Sequence, residues 1–145
     1  LPIFIKEEKI EKNAEMLLGI PYKHNGRSED GLDCWGLVYL FFKRLGVDLP
    51  ENDGSQIPED WYKIDPARYH RSLSKMGKEV GHFNNLIKFD IPYFALYKGV
   101  ITHSAVMLDQ TRFIHVLNNR RVEVDSFRKR FWRRKYRGAI RLYNI

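Results

Sequence analysis

Asp33-Cys34-Trp35-Gly36-Leu37-Val38-Tyr39-Leu40-Phe41-Phe42-Lys43-Arg44-Leu45-Gly46 sets the chain's single cysteine directly after an aspartate and at the head of an apolar run. Aspartate accepts hydrogen bonds from the free amides of a first helical turn, and glycine closes helices. A helix is therefore expected over 34–45. Leu37, Val38, Leu40, Phe41, Phe42 and Leu45 cover most of its faces, which predicts deep burial. Cys34 thus sits where unpaired N–H groups and the helix dipole favour negative charge. Both effects are expected to lower the thiol pKa, and the amides there can form part of an oxyanion hole. Position alone leaves a second reading equally open, because free cysteine is also a common small buried hydrophobe.

On the N-terminal side, Ile10, Ala14, Leu17 and Leu18 follow the i, i+4, i+7, i+8 spacing of one apolar stripe. This predicts a helix over 6–18, ended by Gly19 and kept from resuming by Pro21. Residues 22–31 are polar and glycine-bearing, hence a loop. On the C-terminal side, 50–88 carries Pro50, Pro58 and Pro66, many charges and the aromatic pair Trp61-Tyr62. It is read as a loop with a short helix over 66–75, too long for a plain connection and so an insertion or lid. From Phe89 the pattern turns to β-branched and aromatic runs over 89–97, 100–108, 112–117 and 121–124. A short helix over 127–134 and a last strand over 136–142 complete the reading. Helices first and an antiparallel meander after them make an α+β domain.

His103 and His115 fall in consecutive predicted strands joined by a hairpin. An odd-length turn or one bulge puts both on the same face, and a plain two-residue turn puts them on opposite faces. Two such histidines beside a helix-borne cysteine would make a nucleophile, base and orienter set. Taken singly, each is more simply a structural residue. His24, His70 and His82 lie in loop-like segments and read as surface residues. There is no His-Glu-x-x-His helix and no cysteine pair, so no metal and no cofactor is expected. The basic run from Arg128 to Arg141, with Phe131, Trp132 and Tyr136 interleaved, admits nucleic-acid binding. The simpler reading has Phe127, Phe131 and Trp132 as anchors and the cations as a solvated face.

The 145 residues suit one domain, 1–145, and 43% hydrophobic with 30% charged residues suits a packed core. Twenty-five Lys and Arg against 18 Asp and Glu leave a net charge of +7, which favours an anionic partner or surface. One cysteine excludes an internal disulfide and a multi-thiolate zinc site. No apolar run reaches the roughly 18 residues of a membrane span. Residues 1–12 are too charged for a signal-peptide core, and the chain begins without Met, which leaves room for an upstream signal, anchor or domain.

Leu18-Gly19-Ile20-Pro21-Tyr22, Gly26 and Gly31-Leu32-Asp33-Cys34-Trp35-Gly36-Leu37-Val38 together resemble the nucleophile region of the NlpC/P60 cysteine peptidases. Thr102-His103-Ser104-Ala105-Val106-Met107-Leu108 resembles the strand bearing that family's base, and Arg112-Phe113-Ile114-His115-Val116 the strand bearing its third polar residue. The resemblance implies a papain-like α+β fold with Cys34 as nucleophile, His103 as base and His115 as orienter. It also implies substrate-binding or oxyanion positions at Tyr22, Asp33 and Trp35. The implied activity is hydrolysis of peptidoglycan stem peptides between γ-D-glutamate and a diamino acid, at the bacterial cell wall, by a secreted or phage-tail-borne protein. Asn25 stands where the family often has a glycine, Trp35 where serine is commoner, and Phe89-Asp90 where Gly-Asp is usual. The Asp-Cys-Trp-Gly-Leu form, the insert with Trp61 and the basic ending with Trp132 look more like phage-tail-associated members. The expected partners are the peptidoglycan peptide and an anionic wall polymer. The alternatives are a tail-tip or assembly component with a vestigial site, and a basic nucleic-acid-binding module.

Overall fold

A computed structural model describes residues 6–52 and 57–143. Helix α1 spans Glu7–Leu17 and buries Ile10, Asn13, Ala14 and Leu17. Helix α2 spans Cys34–Arg44 and buries seven of its residues, including Leu37, Val38, Phe41 and Phe42. The two meet through these apolar faces, and Asn13 Nδ2 donates to the Phe41 carbonyl at 3.1 Å, so the buried amide is not left unpaired. Gly46 follows α2 with φ +86°, the left-handed conformation that a helix-closing glycine adopts without strain.

Between the helices, a short hairpin pairs β1 (Arg27–Ser28) with β2 (Gly31–Leu32). Gly36 lies under it. A Cβ there would come within 1.9 Å of the Gly26 carbonyl oxygen, so only glycine lets the hairpin loop pack on the first turn of α2.

The segment 50–88 is more ordered than its composition predicts. It holds α3 (Trp61–Ile64), α4 (Arg68–Ser74) and β3 (Gly77–Val80), with a 3₁₀ turn at Phe83–Asn85; residues 53–56 lie outside the described residues. β3 shows no alternation, its burial running buried, exposed, exposed, buried, because its pairing partner rather than its own pattern holds it.

The strands are β4 (Ile91–Tyr97), β5 (Val100–Ser104), β6 (Val106–Met107), β7 (Arg112–His115), β8 (Glu123–Ser126) and β9 (Tyr136–Leu142), with α5 (Arg130–Lys135) before the last. They do not form one continuous meander, although β6, β7 and β8 pair in sequence. The order is β3-β9-β4-β5 in one sheet and β6-β7-β8 in another. β9 inserts between β3 and β4, pairing antiparallel with both, which no local pattern reveals. The expected single strand over 100–108 breaks at Ala105, and its halves join different sheets.

One core packs α1, α2 and α4 against the sheets. A second, aromatic core gathers Phe94, Phe113, Phe127 and Trp132. Phe131 departs from its predicted role as an anchor: it is 53% exposed, because the short helix α5 buries only Trp132. No helix among the described residues is long and apolar enough to cross a membrane. The architecture is α+β, a helical N-terminal half packed on antiparallel sheet.

Candidate active site

Cys34 opens α2 because Asp33 caps it. Asp33 Oδ1 accepts the Gly36 amide at 2.7 Å and Arg27 Nη1 at 2.8 Å, and Oδ2 accepts the Asn25 amide at 2.9 Å. The carboxylate is thus occupied in holding the loop against the helix start. Asn25 adopts φ 59°, which explains why the position suits glycine or asparagine. Trp35 is buried and donates from Nε1 to the Pro50 carbonyl at 2.8 Å. Both residues also line a small hollow of about 60 Å³ beside Cys34. Their polar groups serve the scaffold.

The larger space is a cleft of about 400 Å³, lined by Cys34, His103, Tyr22, His24, Glu59, Trp61, Tyr62 and Tyr97 among others. His24 is half-buried in it and donates to the Ile57 carbonyl at 2.5 Å, so it is not the surface residue that its loop setting predicts. Asn25 Nδ2 donates to the same carbonyl at 3.1 Å, and together the pair ties the loop to the inserted segment. His70 keeps a side chain 40% exposed, in line with the surface reading, while lying 3.1 Å from Tyr93 Oη and 3.2 Å from Glu79 Oε1. His82 is exposed, as expected. One cleft wall is aromatic: Trp61 packs edge-on against Tyr62, and Tyr62 against Tyr97 at 5.1 Å.

The two histidines meet. Strands β6 and β7 pair Val106 with Ile114 and Met107 with Phe113. Extending that register sets His115 level with Ala105, the break between β5 and β6, two residues after His103. His103 Nε2 lies 2.9 Å from His115 Nδ1. Both rings are buried, and Trp132 covers them, stacked on His103 at 5.9 Å and edge-on to His115 at 4.8 Å. The far side of His115 faces Glu123 and Asp125, each with an oxygen 3.8 Å from Nε2. Among the described residues, these three make up the one group placed to hold a metal ion.

Cys34 Sγ lies 3.3 Å from Tyr69 Oη and 3.5 Å from the Thr102 carbonyl oxygen. Tyr69 in turn shares a hydrogen bond with the buried Ser104 hydroxyl. Sequence reasoning missed Tyr69, since α4 lies in a segment without clear periodicity. It also passed over Glu123 and Asp125, which only strand register brings to His115.

The electrostatics overturn one expectation. Burial, then the Asp33 charge, pushes the Cys34 thiol up to about 11, although hydrogen bonds from Tyr69 and the Ser104 backbone pull the other way. The helix terminus does not prevail against burial first and the capping carboxylate second. Burial, reinforced by His115, holds His103 well below the ordinary imidazole range. His115 is pushed down to about 4, again mainly by burial. The resting pair is thus a thiol and a neutral imidazole. Burial, then the neighbouring Cys34 and Asp33 charges, also raises Tyr22, so its hydroxyl stays protonated and able to donate.

Comparison with known proteins identifies the family. The model of the NlpC/P60 family matches residues 19–141. A probable peptidoglycan endopeptidase, LytE, from Bacillus subtilis (strain 168) is 26% identical over 135 residues, covering 92% of this chain and 34% of the relative. A gamma-D-glutamyl-L-lysine dipeptidyl-peptidase of Bacillus cereus (strain ATCC 10987 / NRS 248) is 28% identical over 131 residues, covering 88% and 34%. The chain therefore spans about a third of the length of these relatives. The crystal structure of an NlpC/P60 family protein from Bacillus cereus ATCC 10987 superposes with a TM-score of 0.70 at 26% identity, covering 95% of this chain and 40% of that one. The matched residues run from the end of α1 into the last strand and contain every residue that lines the cleft, so the chain belongs to the NlpC/P60 family.

Proposed function

We propose that this domain is a cysteine peptidase that hydrolyses peptidoglycan stem peptides, of the γ-D-glutamyl–diamino acid type, through Cys34, His103 and His115. The observation that carries the reading is that Cys34 and His103 open on one cleft while His103 is hydrogen-bonded to a second, buried histidine. With a thiol and a neutral imidazole at rest, the Cys34 proton passes to His103 as sulfur attacks the amide carbonyl. Amides at the start of α2, with Tyr22, receive the developing oxyanion. Imidazolium His103 then protonates the leaving amine, and as neutral base it activates water to release the acyl group. His115 sets the orientation and tautomer of His103. Glu59 amid the aromatic wall suits an amine-bearing peptide, and the net charge of +7 suits an anionic wall polymer.

The test is digestion of purified peptidoglycan by the wild type and by Cys34→Ala, with fragments identified by mass. Wild type should release fragments with a new diamino-acid amine, and Cys34→Ala should release none. Equal digestion by both would overturn the reading.

A further inference from the structure

His115 Nε2 is fully buried and has no hydrogen-bond partner among the described residues. A buried ring nitrogen without a partner is unfavourable, so it calls for a physical account. Two carboxylates face it. His115 pairs directly with Glu123 across β7 and β8, and Asp125 follows on the same face. Glu123 Oε1 and Asp125 Oδ2 each lie 3.8 Å from Nε2, and a side-chain shift of about 1 Å makes either a hydrogen bond.

Proton placement says what these carboxylates do. For His103 to take a proton from Cys34 on Nδ1, its own ring proton must sit on Nε2. Nε2 then donates across the 2.9 Å contact to His115 Nδ1. His115 must therefore accept at Nδ1 and carry its proton on Nε2, pointing at the two carboxylates. A carboxylate can only accept, so it selects this tautomer. We propose that Asp125, seconded by Glu123, is a positioning residue that fixes the proton order of the His115–His103 pair and stabilises the imidazolium formed when Cys34 is deprotonated. No proton reaches the carboxylate: the Cys34 proton stops on His103, and each histidine keeps its own. The inference rests on the reading of His103 as base.

A bound cation is the competing use of the same three residues. It is the weaker one, because their charge is already met. Lys129 Nζ lies 2.9 Å from Asp125 Oδ1, and Arg120 Nη2 lies 3.9 Å from Glu123 Oε2. Two carboxylates and two cations balance, so a divalent ion would add uncompensated positive charge. Asp125 outranks Glu123, since its side chain is 11% exposed against 39% and water screens it less. It also anchors the Trp132 indole that covers both rings.

The groups facing His115 are thus His103, Glu123, Asp125, Arg120 and Lys129, and they provide a test with opposite signs. In Asp125→Asn the acid limb of kcat/KM should move to lower pH by about one unit, with kcat down roughly tenfold and KM unchanged. Lys129→Met removes an exposed cation and should move the same limb to higher pH. A purely structural role for this corner would leave the limb in place or move it alike in both. Ring ¹⁵N shifts of His115 read the same chemistry without turnover. They should show an Nε2–H tautomer in the wild type, and a ring pKa lower in Asp125→Asn and higher in Lys129→Met. If the wild type cleaves nothing, the peptidase reading fails while the ring titration still decides this one. An Nδ1–H tautomer, or a ring pKa unmoved in both variants, overturns it. Should Asp125→Asn not fold, Glu123→Gln and Lys129→Met on the exposed side carry the comparison: a downward and an upward shift support the proposal, and no shift in either refutes it.

Discussion

Tyr69→Phe removes one oxygen and leaves the ring in place. That oxygen lies 3.3 Å from the Cys34 sulfur and is hydrogen-bonded to Ser104. In the resting enzyme the sulfur is a thiol, and the contact is a weak one. As sulfur gives up its proton, Tyr69 donates to a charge, and a hydrogen bond to a charged group is worth about 1.5–3 kcal/mol. At about 1.4 kcal/mol per tenfold, kcat should fall roughly ten- to a hundredfold, and thiolate formation should need one to two pH units more alkali. The same change leaves the fully buried Ser104 hydroxyl without its partner, costing about 1–3 kcal/mol of stability. The two effects separate in the double variant Tyr69→Phe/Ser104→Ala. Removing both hydroxyls should recover most of the melting temperature but none of the activity. Steady-state kinetics on a synthetic stem peptide, iodoacetamide alkylation against pH, and thermal melts measure all three quantities. Wild-type kcat with an unmoved alkylation profile in Tyr69→Phe, or activity restored in the double variant, would refute the reasoning.

His103→Asn should be close to inactive, because an amide cannot move a proton near neutral pH, while His115→Asn should keep a measurable fraction of kcat; equal loss in both, with unchanged melts, would reverse the assignment. Tyr22→Phe should lower kcat roughly ten- to a thousandfold with little change in KM if its hydroxyl serves the oxyanion, and an unchanged kcat would leave it a packing role. Acid should unfold the protein early: His115 titrates at about 4 folded against 6.5 unfolded, so the unfolded chain binds more protons between those values. Stability is full above pH 6.5 and falls by about 3 kcal/mol as the pH drops towards 4, and urea melts flat across that window would contradict the burial argument. Gly36→Ala should abolish the soluble folded yield or lower the melting temperature steeply, since its methyl group would meet the Gly26 carbonyl at 1.9 Å; a wild-type melt would show that the loop can give way.

The amino-acid order was enough for the features that depend on near neighbours. Asp33 before Cys34 and Gly46 behind the helix mark both ends of α2, and its apolar faces announce burial. The order of the three motifs points to the family and places Cys34, His103 and His115, because each motif is a short run whose chemistry is local. Distant neighbours were another matter. β9 lies between β3 and β4 although 55 or more residues separate it from β3, and hydrogen-bonding partners leave no mark on either strand. Tyr69 reaches Cys34 across 35 residues, from a helix with too few apolar positions to show a period. The acidity of the thiol went against the local argument. A helix start favours the thiolate, but the packing that buries Cys34 and the carboxylate that caps its helix raise the thiol instead, and burial is a property of the assembled chain. The same holds behind His115: Glu123 and Asp125 look like ordinary alternating strand residues until register sets both oxygens 3.8 Å from one buried nitrogen.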